Sequence, residues 1–182
     1  MARAKPAKAG KNPDAIALLK ADHRTVEDLF EQFEKARDAD RKQRLATQVC
    51  NALKIHTKIE EEIFYPAFLE ATDETDIHHE AEVEHAGAEK LIAEIEASSP
   101  DDDYFDAKVT VLSEMIKHHV KEEEKPGGMF SKSRDSDMDL QALGEQLATR
   151  KAELESEIED SDMPPPTGQK ERSQTGRMAR AR

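Results

Sequence analysis

Apolar side chains recur every three or four positions in four successive stretches of this 182-residue chain, with short breaks between the stretches. That period is helical, because a strand would alternate at every second residue. The first stretch carries Ile16, Leu19, Val26, Phe30 and Phe33, and the second Leu45, Val49, Ala52, Leu53, Ile59 and Ile63. The third has Ile77, Ala81, Ala88, Ile92 and Ile95, and the fourth Phe105, Val109, Leu112, Ile116 and Val120. Each stripe must bury against the others, which predicts an all-α, up-down-up-down four-helix bundle. Charged residues at 37%, aromatics at 4% and the absence of Trp suit long amphipathic helices better than a β-sandwich.

Local signals set the expected boundaries. Residues 1–11 are Ala/Lys-rich and read as a flexible basic arm. Asn12-Pro13 reads as an N-cap and first helical position, with the first helix running to about Ala39. The second spans Arg41 to about Ala71, and Pro66 inside its pattern predicts a kink or an early end. Ser98-Ser99-Pro100 closes the third, and Pro126-Gly127-Gly128 stops the fourth after about Lys125. The bundle domain is therefore placed at 12–130. A further helix within 131–162, beginning near Ser136, carries Leu140, Leu143, Leu147 and Leu154, a face for the bundle or for a protein partner or second copy. Residues 163–182, opening on Pro164-Pro165-Pro166, read as a disordered basic tail.

Charge and cysteine usage narrow the function classes. The net charge is −13, yet the first eleven and the last nineteen residues are each basic, leaving about −21 on the stretch between them. A body of that sign repels phosphate, which excludes nucleic-acid binding by the folded part. The single cysteine, Cys50, cannot form an intrachain disulfide and is expected to be a buried, inert thiol. With no apolar run long enough to span a bilayer and no signal-peptide core after Met1–Lys11, the expected location is the cytoplasm, off the membrane.

The stripes contain residues that a hydrophobic core does not normally accept. His56 and Glu60 stand four apart in the middle of the second stripe, and His119 and Glu123 do the same in the fourth. His23 lies on the inner face of the first helix and His85 at the edge of the inner face of the third. A buried carboxylate without a partner costs several kcal/mol, so these charges need compensation. Four imidazoles and two carboxylates suit iron, manganese or zinc, and six ligands exceed what one zinc uses, so two ions sharing the carboxylates fit better. His78 with Glu82, and His118 with Glu122, project away from their stripes and read as solvated pairs. Glu61, Glu62, Glu122 and Glu124 read as solvated acid clusters, one of which could sit behind a ligand, and Tyr65 as a core aromatic with no role in the site. A ferritin-like oxidase would need Glu-x-x-His on two helices. Glu82–His85 supplies one, but Leu53 and Ile116 precede the other histidines.

Several runs resemble, in order, the motifs of the hemerythrin-like (HHE cation-binding) domains: Asp22-His23-Arg24 with Leu29-Phe30, His56-Thr57-Lys58-Ile59-Glu60-Glu61-Glu62 with Phe64-Tyr65-Pro66, Glu84-His85, and His118-His119-Val120-Lys121-Glu122-Glu123. The resemblance spans about Asp14 to Phe130 and implies a bundle holding two non-haem iron ions, oxo- or hydroxo-bridged. It implies His23, His56, Glu60, His85, His119 and Glu123 as ligands, with Glu60 and Glu123 as bridges. Oxygen-carrying members have a second histidine four residues from that of the third helix, where this chain has Ala81 and Glu89. That difference predicts a less crowded iron, or one supplemented by Glu82, Glu89, His118 or Glu122, and tells against simple oxygen carriage. Pro126-Gly127-Gly128 predicts a looser end of the site before Met129-Phe130. The expected function is reaction of the iron pair with dioxygen, peroxide or nitric oxide, with catalase-like peroxide decomposition as the enzymatic form. The alternative is a non-catalytic iron sensor acting through the C-terminal helix.

Overall fold

The computed structural model describes residues 13–162, and every regular element among them is helical. Helix α1 spans Ala15–Lys35 and α2 Ala39–Ile59; a π-helical turn, Glu60–Phe64, carries α2 directly into α3, Tyr65–Thr72. Helices α4, Thr75–Glu96, and α5, Phe105–Glu124, complete the bundle, followed by α6, Met129–Asp135, and α7, Leu140–Asp162. The expected all-α bundle with an added C-terminal helix is the fold observed.

Capping explains where the first helices start. Asp14, rather than the expected Asn12, caps α1, its carboxylate accepting the Ala17 N–H at 2.8 Å. Asn12, the basic arm and the basic tail lie outside the described residues. Asp38 does the same for α2, accepting from Arg41 at 2.9 Å, so the chain turns between Ala36 and Asp38 instead of continuing to Ala39. Pro66 neither ends the second helix nor stands alone as a kink. It occupies the first turn of α3, where the preceding π turn has widened the bonding to i→i+5, with the Tyr65 N–H on the Glu60 carbonyl. Asp73, in the left-handed region at φ 56°, closes α3.

The core divides into two apolar clusters. One gathers Phe30, Phe33, Val49, Leu53, Ile92, Phe105 and Leu112; the other gathers Ile16, Leu19, Ile59, Phe64, Phe68, Met129 and Phe130. Fully burying each such side chain is worth about 1.5–3 kcal/mol. The second cluster is closed by α6 and by Leu143 and Leu147 of α7, so the apolar face of the C-terminal helix is covered by the bundle itself. That helix begins at Leu140, not near Ser136, because Asp139 supplies the cap to Ala142 at 3.0 Å. Gly144 lets α7 cross the start of α1, since a Cβ there would lie 2.4 Å from the Pro13 carbonyl oxygen. Cys50 is buried, and burial together with the nearby Glu96 pushes its thiol up to about 11, so it stays protonated. No described helix is long and apolar enough to cross a membrane.

Candidate metal centre

Between the two apolar clusters lies a polar layer. His23 comes from α1, His56 from α2, Glu60 from the π turn, His85 from α4, and His119 and Glu123 from α5. All six side chains are buried, and Glu60 has no exposed surface at all. Their ring nitrogens and carboxylate oxygens form two groups that could hold a cation. His23, His56, Glu60 and Glu123 make one, and Glu60, His85 and His119 the other, so Glu60 is common to both.

The distances show why such a layer needs positive charge. The Nε2 atoms of His23 and His56 are 3.1 Å apart, and those of His85 and His119 are 3.3 Å apart. Glu60 Oε2 lies 3.3 Å from His56 Nε2 and 3.5 Å from His85 Nε2, and Glu123 Oε2 lies 3.3 Å from His23 Nε2. Three outer carboxylates fix the opposite edges of the rings. Glu124 faces His23 Nδ1 at 2.9 Å, Glu61 faces His85 Nδ1 at 3.0 Å, and Glu84 faces His119 Nδ1 at 2.7 Å. A carboxylate at Nδ1 holds the proton there, which leaves Nε2 as a lone pair aimed inward. At His85 and His119 lone pair then faces lone pair, and Glu60 Oε1 and Glu123 Oε2 are buried with no hydrogen-bond partner among the described residues. A cation in each of the two groups would meet the facing ring nitrogens and a carboxylate oxygen, so the donor set fits a metal.

Without metal, protons take that place. Burial alone would raise the Glu60 carboxyl, but His56, His85 and His119 hold it below its ordinary value. Burial would lower His119, yet Glu123 and Glu84 bring it up to about 9. His23 is raised by Glu123, and His85 by Glu60, each against the opposing effect of burial.

Tyr65, given no role by its spacing, stands inside the layer. Its hydroxyl lies 3.1 Å from His85 Nε2 and 3.4 Å from both Glu60 Oε2 and Glu123 Oε1. Burial and those two carboxylates hold its pKa well above the ordinary value, so it remains a neutral donor. The end of the site is closed on the His23 side and open beside Gly127 and Gly128: Phe130 stacks on the His23 ring at 5.7 Å between centroids and meets Phe64 edge-on at 5.8 Å, whereas the glycines line a cleft. Gly128 makes that closure feasible, because a Cβ there would lie 2.3 Å from the Glu122 carbonyl oxygen. A cleft of about 160 Å³ between α4, α5 and the start of α6 reaches His119 and Glu123 from the surface, and a pocket of about 10 Å³ sits among the four imidazoles.

The surrounding acids sort differently from their sequence reading. Glu61 and Glu124 back ring nitrogens, whereas Glu62 pairs with Arg150 and Lys58, and Glu122 with Lys125, at the surface. Glu82 and Glu89 are exposed and do not supplement the centre. His118 is exposed and reaches Glu84 at 3.2 Å. His78 is half-buried against the Tyr65 ring at 5.5 Å, less solvated than its helical position implied. Asp22 and Glu84, which spacing did not single out, each adjoin or precede a motif histidine, and that adjacency was the available signal.

Residues 14–126 match the family model described as Hemerythrin HHE cation binding domain. A crystal structure of a hemerythrin HHE cation binding domain-containing protein from Mycobacterium kansasii superposes with a TM-score of 0.70 at 20% identity, covering 82% of this chain and 91% of that one. A DNA nickase from Nostoc is 29% identical over 107 residues, 59% of this chain. The chain spans only 30% of that relative's length.

Proposed function

The chain belongs to the hemerythrin HHE cation-binding family, and from that premise and its donor geometry we propose that it holds two non-haem iron ions that react with dioxygen, peroxide or nitric oxide. The observation that carries the reading is Glu60, buried and common to both donor groups, as a shared bridge must be. His23 and His56 would hold one ion, His85 and His119 the other, with Glu60 and Glu123 between them. Bound iron supplies one-electron chemistry between its ferrous and ferric states and an open position for a small ligand. The mixed imidazole-carboxylate set, without thiolate, favours iron over softer-ligand metals.

The chain's own groups prepare that chemistry. The outer carboxylates keep the imidazole lone pairs inward and raise their basicity. The Tyr65 hydroxyl keeps its proton within reach of both inner carboxylates, ready to donate to an anion formed beside His85. Phe130 and Phe64 exclude water from the His23 end, so the cleft at His119 is the route for a ligand, and its size suits a peroxide or diatomic molecule. Two peroxide molecules converted to dioxygen and two waters is the turnover this arrangement supports.

The Nostoc DNA nickase lends no support to a nucleic-acid role here, since the matched stretch is a minor part of that protein and the acidic body opposes phosphate. A sensor acting through α7 has less support, because Leu143 and Leu147 are already buried in the bundle. Glu60→Gln keeps the shape of the side chain and removes its charge. The variant is expected to keep its helical content while losing at least one of the two ions on anaerobic ferrous loading, and full retention of both would refute the shared site.

A further inference from the structure

Three of the four inner imidazoles have a carboxylate within hydrogen-bond distance of Nδ1, and the fourth does not. His56 Nδ1 is 3.7 Å from Asp22 Oδ2, too far for a bond. Both atoms are buried, and neither has a hydrogen-bond partner among the described residues. On the other side of Asp22, Oδ1 accepts from the Lys151 ammonium of α7. The C-terminal helix thus takes hold of the one outer carboxylate that could back His56.

We propose that Lys151 is a positioning residue through which α7 weakens one ligand: by holding Asp22 away from His56, the docked helix makes His56 a poorer donor and lowers the affinity of the His23–His56 site for its ion. The inference rests on the metal-site reading above. A carboxylate at Nδ1 raises the donor strength of the imidazole, so its withdrawal lowers it, and the cation of Lys151 further drains the carboxylate. Movement has room, since a cavity of about 110 Å³ lies beside Asp22 and Lys151, bounded by Thr25, Val26 and Ile55. Beyond Lys151, Ala152, Glu153, Glu155, Ser156 and Glu157 of α7 are exposed, and Leu154 packs on the second apolar cluster. A displacement of this segment would release Asp22 to close on His56, coupling the position of the C-terminal helix to the metal centre.

The test uses zinc, which is redox-silent, in the full-length chain. Ring-nitrogen NMR of the zinc-loaded wild type should show three strongly hydrogen-bonded Nδ1 protons, and Lys151→Met should add a fourth, at His56. Zinc affinity at the His23–His56 site should rise about tenfold in Lys151→Met, the lower end of what outer carboxylates carry. That gain should vanish when Asp22→Ala is added, as a double-mutant cycle requires. Arg150→Gln is the control, because Arg150 ties α7 to Glu62 without touching an inner histidine, and it should change neither readout. An unchanged His56 signal in Lys151→Met, or an equal effect of Arg150→Gln, overturns the inference while leaving the metal site standing. Failure of the wild type to take up zinc at all overturns both.

Discussion

Tyr65 illustrates how a residue's role depends on one turn of backbone. At about 100° per residue it falls about 140° from Glu60, off the inner face. The π turn between Glu60 and Phe64 underwinds the chain, with less rotation per residue, and so brings the hydroxyl back to 3.4 Å from the Glu60 carboxylate. The six inner side chains were legible because their apolar neighbours mark the same face, Glu60 included, since it opens the π turn before the count shifts. The roles of Glu61, Glu84 and Glu124 were not, because they sit one position off the stripe, where a solvated acid and a ring-backing acid look alike. Tyr65→Phe removes a buried hydroxyl bonded to charged groups, and the metal-free protein should lose about 1.5–3 kcal/mol in chemical denaturation while its metal stoichiometry is kept. Glu84→Gln leaves His119 less firmly backed, and metal affinity should fall about 10–100-fold in a competition titration.

Among the elements, the four bundle helices were readable from periodicity, but their ends were decided by particular caps. Asp14 and Asp38 move the start of α1 and α2 by two residues from the expected points, and Asp139 delays α7. The α5–α6 corner carries the largest consequence. Pro126-Gly127-Gly128 reads in sequence as a loosening; Gly127 at φ 77° and the close approach of Gly128 to three carbonyls fold the chain back sharply, which seats Phe130 against His23 while the glycines line the cleft to His119. Phe130→Ala should cost about 3–5 kcal/mol in denaturant unfolding and open the His23 end to water. Retention of wild-type stability would mean the corner does not close the site.

At the scale of the whole molecule, the docking of α7 was the part sequence could not decide, because its leucine face matched a bundle groove and an external partner equally well. The charge balance of the centre governs how stability and metal binding respond to pH. His119 is raised to about 9, so in the metal-free protein its contribution is complete below its unfolded value of 6.5 and is lost as pH rises through about 9. Glu60 is lowered to about 2, so its contribution is present above 4.5 and is lost as pH falls through about 2. The metal-free melting temperature should therefore decline between pH 6.5 and 9. Metal affinity should rise over the same interval, because a cation competes with those protons for Nε2. A metal-free melting temperature that climbs with pH in that window would contradict the assignment of protons to the histidines.

The most direct measurement is the iron content of the full-length protein after anaerobic ferrous loading and removal of excess metal, read by elemental analysis against protein concentration. Two irons per chain are predicted, falling to one or none in Glu60→Gln. A wild-type chain that retains no iron, or retains two in the presence and absence of the Glu60 carboxylate alike, would contradict a metal pair bridged in this bundle.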